Sequence, residues 1–532
     1  MQRIPKSKFL YAIRFMCVSA LGCIIGFLCL QIVLCEELSA QTYYVATNGS
    51  DSNPGTESQP WATFSKAMTV LQPGDTLLIK DGTYYQQLRV NISGALGNPI
   101  TFKAQNDGKA IIDGQNIRIP CWIYNNINRV HDINLEGVVC KNSNDANVYL
   151  HYADRINVKR VSSYGNYSGS ASGGFVVWSC TYVLLEDCAS MTNSKNEYDI
   201  IATNYSTVRR CWGRAKYSQS GDSIITYGSN NNIIENNIII EEPTALGGRA
   251  FYVWAHYYND SADYNKFYGN IAIGVTGGAF AVSSCQHNII GNEFVNDVAI
   301  NVPLGLFQRG GDQTVYHNLT VISKSGLYTS GSVLSEYTDN NQPQCQEKDC
   351  DYRLDSDIKN VSFLGNSADK AYDWSLWELH LANGCATQYP SNTHTYNNIK
   401  NYTSVGETGD STEYCDGSGC GNAGITPNYD TSTYGNGAYL IVPSNLKGKG
   451  AGGADIGATV LYRYVNGSLT SIPLWPWPME DRIKAETGYS VTYESGGGLW
   501  KTLDGVYGSN PSPSPFTPDV VPPAPPRVIG VQ

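Results

Sequence analysis

Charge is scarce in this chain: only 16% of its 532 residues are Asp, Glu, Lys or Arg, and 36 basic residues are outnumbered by 47 acidic ones. The net charge of −11 argues against nucleic acid or an anionic membrane as the main partner, since both need a broad basic face. An anionic substrate would need a local basic patch. Paired Cys-x-x-Cys motifs and paired histidines are also missing, which argues against a zinc site. What is plentiful is glycine and tyrosine, 53 and 37 residues, suited to turns and to an exposed aromatic surface.

Residues 1–40 join a basic start (Arg3, Lys6, Lys8, Arg14) to an apolar run from Phe15 to Cys35, then Leu38-Ser39-Ala40. This reads as an export signal cleaved near Ala40, with an uncleaved N-terminal anchor as the alternative. Four of the 15 cysteines lie here, leaving an odd eleven. Cys121, Cys140, Cys180, Cys188, Cys211 and Cys285 sit in apolar strand contexts, and most of them are expected to act as small buried hydrophobes. Cys345 with Cys350, and Cys415 with Cys420, lie in polar loops where an exported protein can form disulfides, although spacing does not settle pairing.

Nine segments repeat an apolar residue followed three positions later by Val, Cys or Asn, the second members being Val138, Val161, Cys188, Cys211, Asn237, Asn270, Asn292, Asn318 and Asn366. Six of the eight intervals fall between 22 and 27 residues, too short for paired-helix repeats. The segments are β-branched with turn formers at their ends, so each repeat reads as strands. A right-handed parallel β-helix follows, an all-β solenoid in which stacked coils close one core and align inward residues in ladders. Because solenoids grow by adding coils, this length does not force several domains.

Residues 41–120 read as an N-terminal cap and first coils: a strand at Tyr43-Tyr44-Val45, the polar loop Asn48 to Gly55, a short amphipathic helix from Trp61 to Leu71, and Pro73-Gly74-Asp75 leading into Thr76 to Tyr84. The helix is expected to plug the open end. This stretch resembles the N-terminal cap of secreted β-helix proteins of the pectate-lyase-like superfamily, a resemblance that implies the fold far more strongly than any activity. The helical coils extend over 121–458, ending in Gly452-Gly-Ala-Asp-Ile-Gly457, and 459–505 is expected to cover the other end. Residues 506–532 are Pro- and Ser-rich and read as an extended tail.

Aligning the strands between ladder segments sets Gly174, Asp199, Asp222, Arg249 and Gly278 at one position, which predicts a charged column of Asp199, Asp222 and Arg249. Such a column can serve β-elimination on a uronic-acid-containing polysaccharide, which needs the substrate carboxylate neutralised and a base near the adjacent proton. On this reading Asp199, Asp222 and Glu197 would hold Ca²⁺, Arg249 would clamp the carboxylate, and Lys216 or Lys195 would be the base. His256, Tyr257 and Tyr258 could wall a sugar cleft. The β-helix lyases of the resembled superfamily pair Ca²⁺-binding acids with a nearby Lys and Arg, yet here no lysine stands between Asp222 and Asn237. The structural alternative is that both aspartates cap turns and Arg249 merely pairs with Asp222. A glycoside hydrolase and a non-catalytic glycan-binding or structural surface protein remain open as well. A monomer is expected, with polysaccharide as its partner.

Overall fold

Alternation decides the local structure. In Val148–His151 and Ala153–Lys159, Val148, Leu150, Ile156 and Val158 are fully buried while their neighbours are not, the period-two pattern of a strand with one face inward. The computed structural model describes residues 40–166, 173–191, 196–215, 221–241, 248–255, 261–275, 277–284, 289–302, 305–309, 311–323, 334–335, 354–365, 370–371, 393–400, 404–405, 411–416, 420–489 and 491. Each coil adds a strand to each of three sheets, of 13, 10 and 14 strands, and pairs in parallel with the coils before and after it. Val148 thus faces Phe175, Ile156 faces Val183, and Ser162 faces Ala189. This is the expected right-handed parallel β-helix.

Sharp corners separate the 13-strand from the 14-strand sheet. Arg160, Asp187, Arg210, Asn236, Gly269, Asn296, Asn318 and Asn360 all hold φ between 50 and 66° there. Asparagine and glycine suit this left-handed conformation best. The next residue turns inward and forms the ladder.

That ladder differs from the expected one in its later coils. Strand pairing runs Ile234, Phe267, Phe294, Tyr316, Ile358, so the inward column continues from Asn237 and Asn270 to Asp297, Leu319 and Val361. Asn237 Oδ1 accepts from the Cys211 N–H at 2.9 Å, and Asn270 Oδ1 from the Asn237 N–H at 3.0 Å. Asn292 belongs instead to a second inward ladder with Asn232 and Asn265, and Asn318 is a corner residue. Asn366 lies outside the described residues. Because asparagine favours both corners, a three-residue spacing can match either one.

At the N-terminal end the expected helix shrinks to Phe64–Ala67, capped by the Thr63 hydroxyl accepting from the Lys66 N–H at 3.1 Å. Trp61, Phe64 and Ala67 join the continuous solenoid core. Gly55, at φ 86°, lets the Trp61 indole lie where any Cβ would come within 2.5 Å of its ring.

The segment from Leu440 to Val491 does not sit over an open end. It runs back along the outside of the 14-strand sheet from the coil of Asn360 to that of Val138. The corner asparagines receive it: Asn360 Oδ1 accepts from the Ala451 N–H at 2.9 Å, Asn296 exchanges hydrogen bonds with the Thr459 backbone, and Asn236 accepts from the Tyr464 N–H. The far end is fixed by Arg482, which donates to the Arg160 and Val138 carbonyls at 2.6 and 3.1 Å, and by Glu486, which accepts from the Ser162 and Tyr164 hydroxyls at 2.7 Å. Leu461, Trp477 and Ile483 of this strap bury the outward faces of Trp212, Ile238, Ile240 and Ile273. That is why Ile238-Ile239-Ile240 reads as an unbroken apolar run: both faces of the strand are covered. The helix within the strap, Glu480–Thr487, ends at Gly488 in the left-handed conformation.

Arg209 and Arg210, just before the ladder residue Cys211, are both buried. Arg209 Nε lies 2.6 Å from Glu186, and Arg210 lies 2.8 Å from both Glu186 and Asp187. Burial opposes ionisation of Glu186, but the charges of Arg209, Arg210 and Lys159 outweigh it and bring the carboxyl down to about 2. Cys121 and Cys140, from the apolar strand contexts in which most cysteines are expected to act as small buried hydrophobes, instead form a disulfide inside the core. Cys415 and Cys420 form another, while Cys180, Cys188 and Cys211 are free and buried as expected. Cys285, Cys345 and Cys350 lie outside the described residues, as does the expected export segment. No helix among the described residues is long and apolar enough to cross a membrane.

Candidate functional site

The ten-strand sheet turns a different kind of face outward. Its strands place Trp122, Tyr149, Val176, Asp199, Ile225, Tyr252, Ala281 and Phe307 in one outward column. A second column runs His151, Trp178, Ile201, Tyr227, Trp254, Ser283. In-register parallel strands stack like residues, so the rings lie face to face: His151 on Trp178 at 5.0 Å and Tyr227 on Trp254 at 4.8 Å. Arg89 lies over Trp122 at 4.9 Å. Burial lowers the pKa of His151, which keeps the imidazole neutral at neutral pH, and raises the Tyr149 phenol to about 12.

The charged residues meet on this sheet, but in a different register from the expected one. Asp222 and Arg249 do occupy equivalent positions in neighbouring coils, as the Ser223 N–H bond to the Arg249 carbonyl requires. The equivalent residue one coil earlier is Asn196, not Asp199. Phe175, Tyr198, Ile224 and Phe251 are the inward set, and alignment on the apolar Ile200 slips that coil by two residues relative to Phe175. Asp199 therefore lies one residue into the strand, facing outward between Val176 and Ile225.

Asn196 still connects the three. Its amide donates to Asp199 Oδ1, and its Oδ1 accepts from the Asp222 N–H at 2.8 Å. Asp222 Oδ1 then accepts from the Arg249 backbone N–H at 3.2 Å and pairs with Nη1 at 3.1 Å. The Arg249 guanidinium lies 4.2 Å over the Tyr252 ring and keeps 30% of its side chain exposed. An arginine fixed in this way offers a preorientated cation on an aromatic floor.

Glu197 does not join the group. It is buried, and its carboxylate accepts from the Ser190 hydroxyl of the 14-strand sheet. Lys195, Lys216, His256, Tyr257 and Tyr258 lie outside the described residues. No cluster of three His, Cys, Asp or Glu side chains able to hold a metal ion occurs among the described residues. With Glu197 turned away, Asp199 held by an amide donor and Asp222 engaged by Arg249, the described donors do not fit the six to eight oxygens that Ca²⁺ takes.

The aromatic columns are the feature of this face that aligning the strands on their charged residues does not reveal. Their signal is in the sequence: Trp122 and Tyr149, His151 and Trp178, and Tyr227 and Trp254 are each one coil apart.

The family model "Pel9A-like, right handed beta helix region" matches residues 43–138. Over 79 residues the chain is 42% identical to "Pectate lyase L" of Dickeya chrysanthemi, and over 82 residues 39% identical to "Uncharacterized protein YwoF" of Bacillus subtilis (strain 168). These matches span 13% and 15% of this chain, and only 19% and 18% of the relatives. Among solved structures, a rhamnogalacturonan lyase is similar at 15% identity and TM-score 0.39, over 85% of this chain and 100% of its own. Pectate lyase Pel9A is similar at 15% identity and TM-score 0.31, over 78% of this chain and 95% of its own. The family-model match ends well before Asn196, so it bears on the cap and first coils rather than on the charged group. With three long parallel sheets behind that match, the chain has the right-handed parallel β-helix fold, and its residues 43–138 match the Pel9A-like β-helix region.

Proposed function

We propose that the protein binds a uronic-acid-containing polysaccharide along the outer face of the ten-strand sheet and cleaves it by β-elimination. The observation that carries this reading is Arg249, held 3.1 Å from Asp222 and laid across Tyr252 on a face lined by aromatic rings. A guanidinium bound to a uronate carboxylate makes the carbon-bound proton beside it more acidic. A base takes that proton, the electron pair forms the ring double bond, and the glycosidic C–O bond on the next carbon breaks. Lys216 and Lys195 are the proposed bases, since in sequence 216–220 precedes Asp222 and 192–195 precedes the strand Tyr198–Ile201 that carries Asp199. His256, Tyr257 and Tyr258 are proposed to wall the cleft.

Arginine rather than calcium is proposed for the neutralisation, because Glu197 faces Ser190, Asp199 is held by the Asn196 amide and Asp222 is engaged by Arg249. Pectate lyase L shares only part of its length with this chain, but it supports a pectic or related acidic substrate. The Cys121–Cys140 and Cys415–Cys420 bridges support export, since such bonds persist in oxidising compartments. The proposed export signal and monomeric state complete this reading.

Pectate, alginate and glycosaminoglycans, each with and without chelator, provide the test. Unsaturated product on one acidic polymer, insensitive to chelator, is the expected result. Binding without product would make the protein a glycan-binding module, and activity lost with chelator would restore the cation.

A further inference from the structure

The aromatic face of the ten-strand sheet is broken at one coil. Rings run without interruption from Trp122 and Tyr124 through Tyr149 and His151 to Trp178, with centroids 4.9 to 6.3 Å apart. A second run starts at Tyr227 and continues to Trp254 at 4.8 Å. Between them, at the same strand position, stands Ile201, paired with Trp178 on one side and Tyr227 on the other. Neighbouring strands lie about 4.8 Å apart, so Trp178 and Tyr227 are separated by two spacings, or about 9.6 Å.

A gap of that size has a definite capacity. Inside each run a ring occupies one spacing, so two spacings leave room for one further flat ring between the bounding pair. Ile201 fills only the floor, because its aliphatic side chain is shorter than an indole or a phenol. Trp178 stacks on His151 with one face and turns the other toward this gap, and 43% of the residue is exposed. Asp199, two residues earlier in the same strand, lies on the same side of the sheet but is buried, its Oδ1 accepting from the Asn196 amide. The gap thus joins an aromatic ring on each side to an aliphatic floor.

We infer that Trp178, Ile201 and Tyr227 form a slot for a single pyranose residue of a glycan chain, with the C–H face of the sugar stacked on the Trp178 indole. A pyranose suits such a gap, since its C–H face is apolar for the ring and the floor while its rim hydroxyls reach solvent past the short Ile201 side chain. The slot reads ring shape rather than charge, and it sets one sugar beside the Asn196, Asp222 and Arg249 chain. This inference rests on the glycan-acting reading and adds to it the position of one sugar.

Two substitutions test it from opposite directions. Trp178→Ala removes the stacking wall, whereas Ile201→Trp adds the missing ring and closes the slot without deleting any polar group. Binding of a defined oligogalacturonate, and separately of a neutral xylo-oligosaccharide, is measured by calorimetry on the full chain, with circular dichroism to confirm folding. Both variants are expected to weaken whichever binding the wild type shows by about tenfold or more. Wild-type affinity in a folded Ile201→Trp variant would overturn the slot while leaving lyase activity as evidence for the broader reading. A wild type that binds neither probe overturns the slot, and one that also yields no unsaturated product overturns the broader reading with it.

Discussion

Asp297 occupies a position that asparagine holds in the two preceding coils. It is fully buried, its Oδ1 accepts from the Asn270 N–H at 2.6 Å and from the Asn270 amide at 3.0 Å, and its Oδ2 has no hydrogen-bond partner. Asn237 and Asn270 each donate through Nδ2 to a carbonyl of the previous coil, those of Val208 and Ile234. By register the equivalent carbonyl for residue 297 is that of Phe267, which a carboxylate cannot serve. Burial raises the Asp297 pKa well above its usual value, so the native state favours the protonated acid. The unfolded chain releases this proton near pH 4, and stability therefore declines as pH rises from there through the native pKa. Asp297→Asn is expected to raise stability by about 1–3 kcal/mol at neutral pH, with the gain shrinking toward pH 4. Urea titrations at the two pH values check this, and a gain independent of pH would show that Asp297 does not titrate in this way. The charge of position 297 was legible in the sequence, but its place in the ladder was not, because the repeat matched Asn292 instead.

At the scale of the element, the C-terminal strap holds two kinds of contact. Corner asparagines fix its backbone, and Arg482 with Glu486 locks its end onto the coils of Val138 and Ser162. Arg482→Ala removes donors to two backbone carbonyls and leaves Glu486 without its i−4 partner. A loss of about 2–4 kcal/mol is expected, with protection of the Ile238–Ile240 amides reduced in hydrogen exchange. Exchange unchanged along that strand would show that the strap adheres by its apolar side chains alone. The Cys121–Cys140 bridge closes a sequence separation of 19 residues between the ten-strand and 14-strand sheets. Replacing both cysteines with alanine is expected to cost about 3 kcal/mol, read as a shift in the denaturation midpoint. Strand content was legible from the period, whereas the strap was not: covering a sheet's outer face leaves the same apolar run as plugging a solenoid's end. Ile238-Ile239-Ile240 and Trp212, apolar on both faces, are the residues that distinguish the two.

The whole molecule was the most legible level. A coil-length period of β-branched segments suffices for a parallel β-helix, because successive coils must bring equivalent residues into register. The charged site was half legible for the same reason. Asp222 and Arg249 are one coil apart and were aligned, while Asp199 was assigned to the position that Asn196 holds, and Glu197 faces Ser190 instead of its neighbours. Loops of varying length between sheets shift the register without changing composition, so sequence alone places such residues within a few positions of their site. The aromatic columns carry a firmer signal, since their rings recur one coil apart at equivalent strand positions.

The central claim is that Arg249, braced by Asp222 on this face, neutralises a uronate carboxylate during elimination. Its most direct test is the initial rate of unsaturated-product formation by the full wild-type chain and by folded Arg249→Ala on the same acidic polysaccharide. The prediction is measurable turnover by the wild type and a fall of about a hundredfold or more in the variant. Equal rates in the two proteins, or no product from the wild type on any acidic polymer, would contradict it.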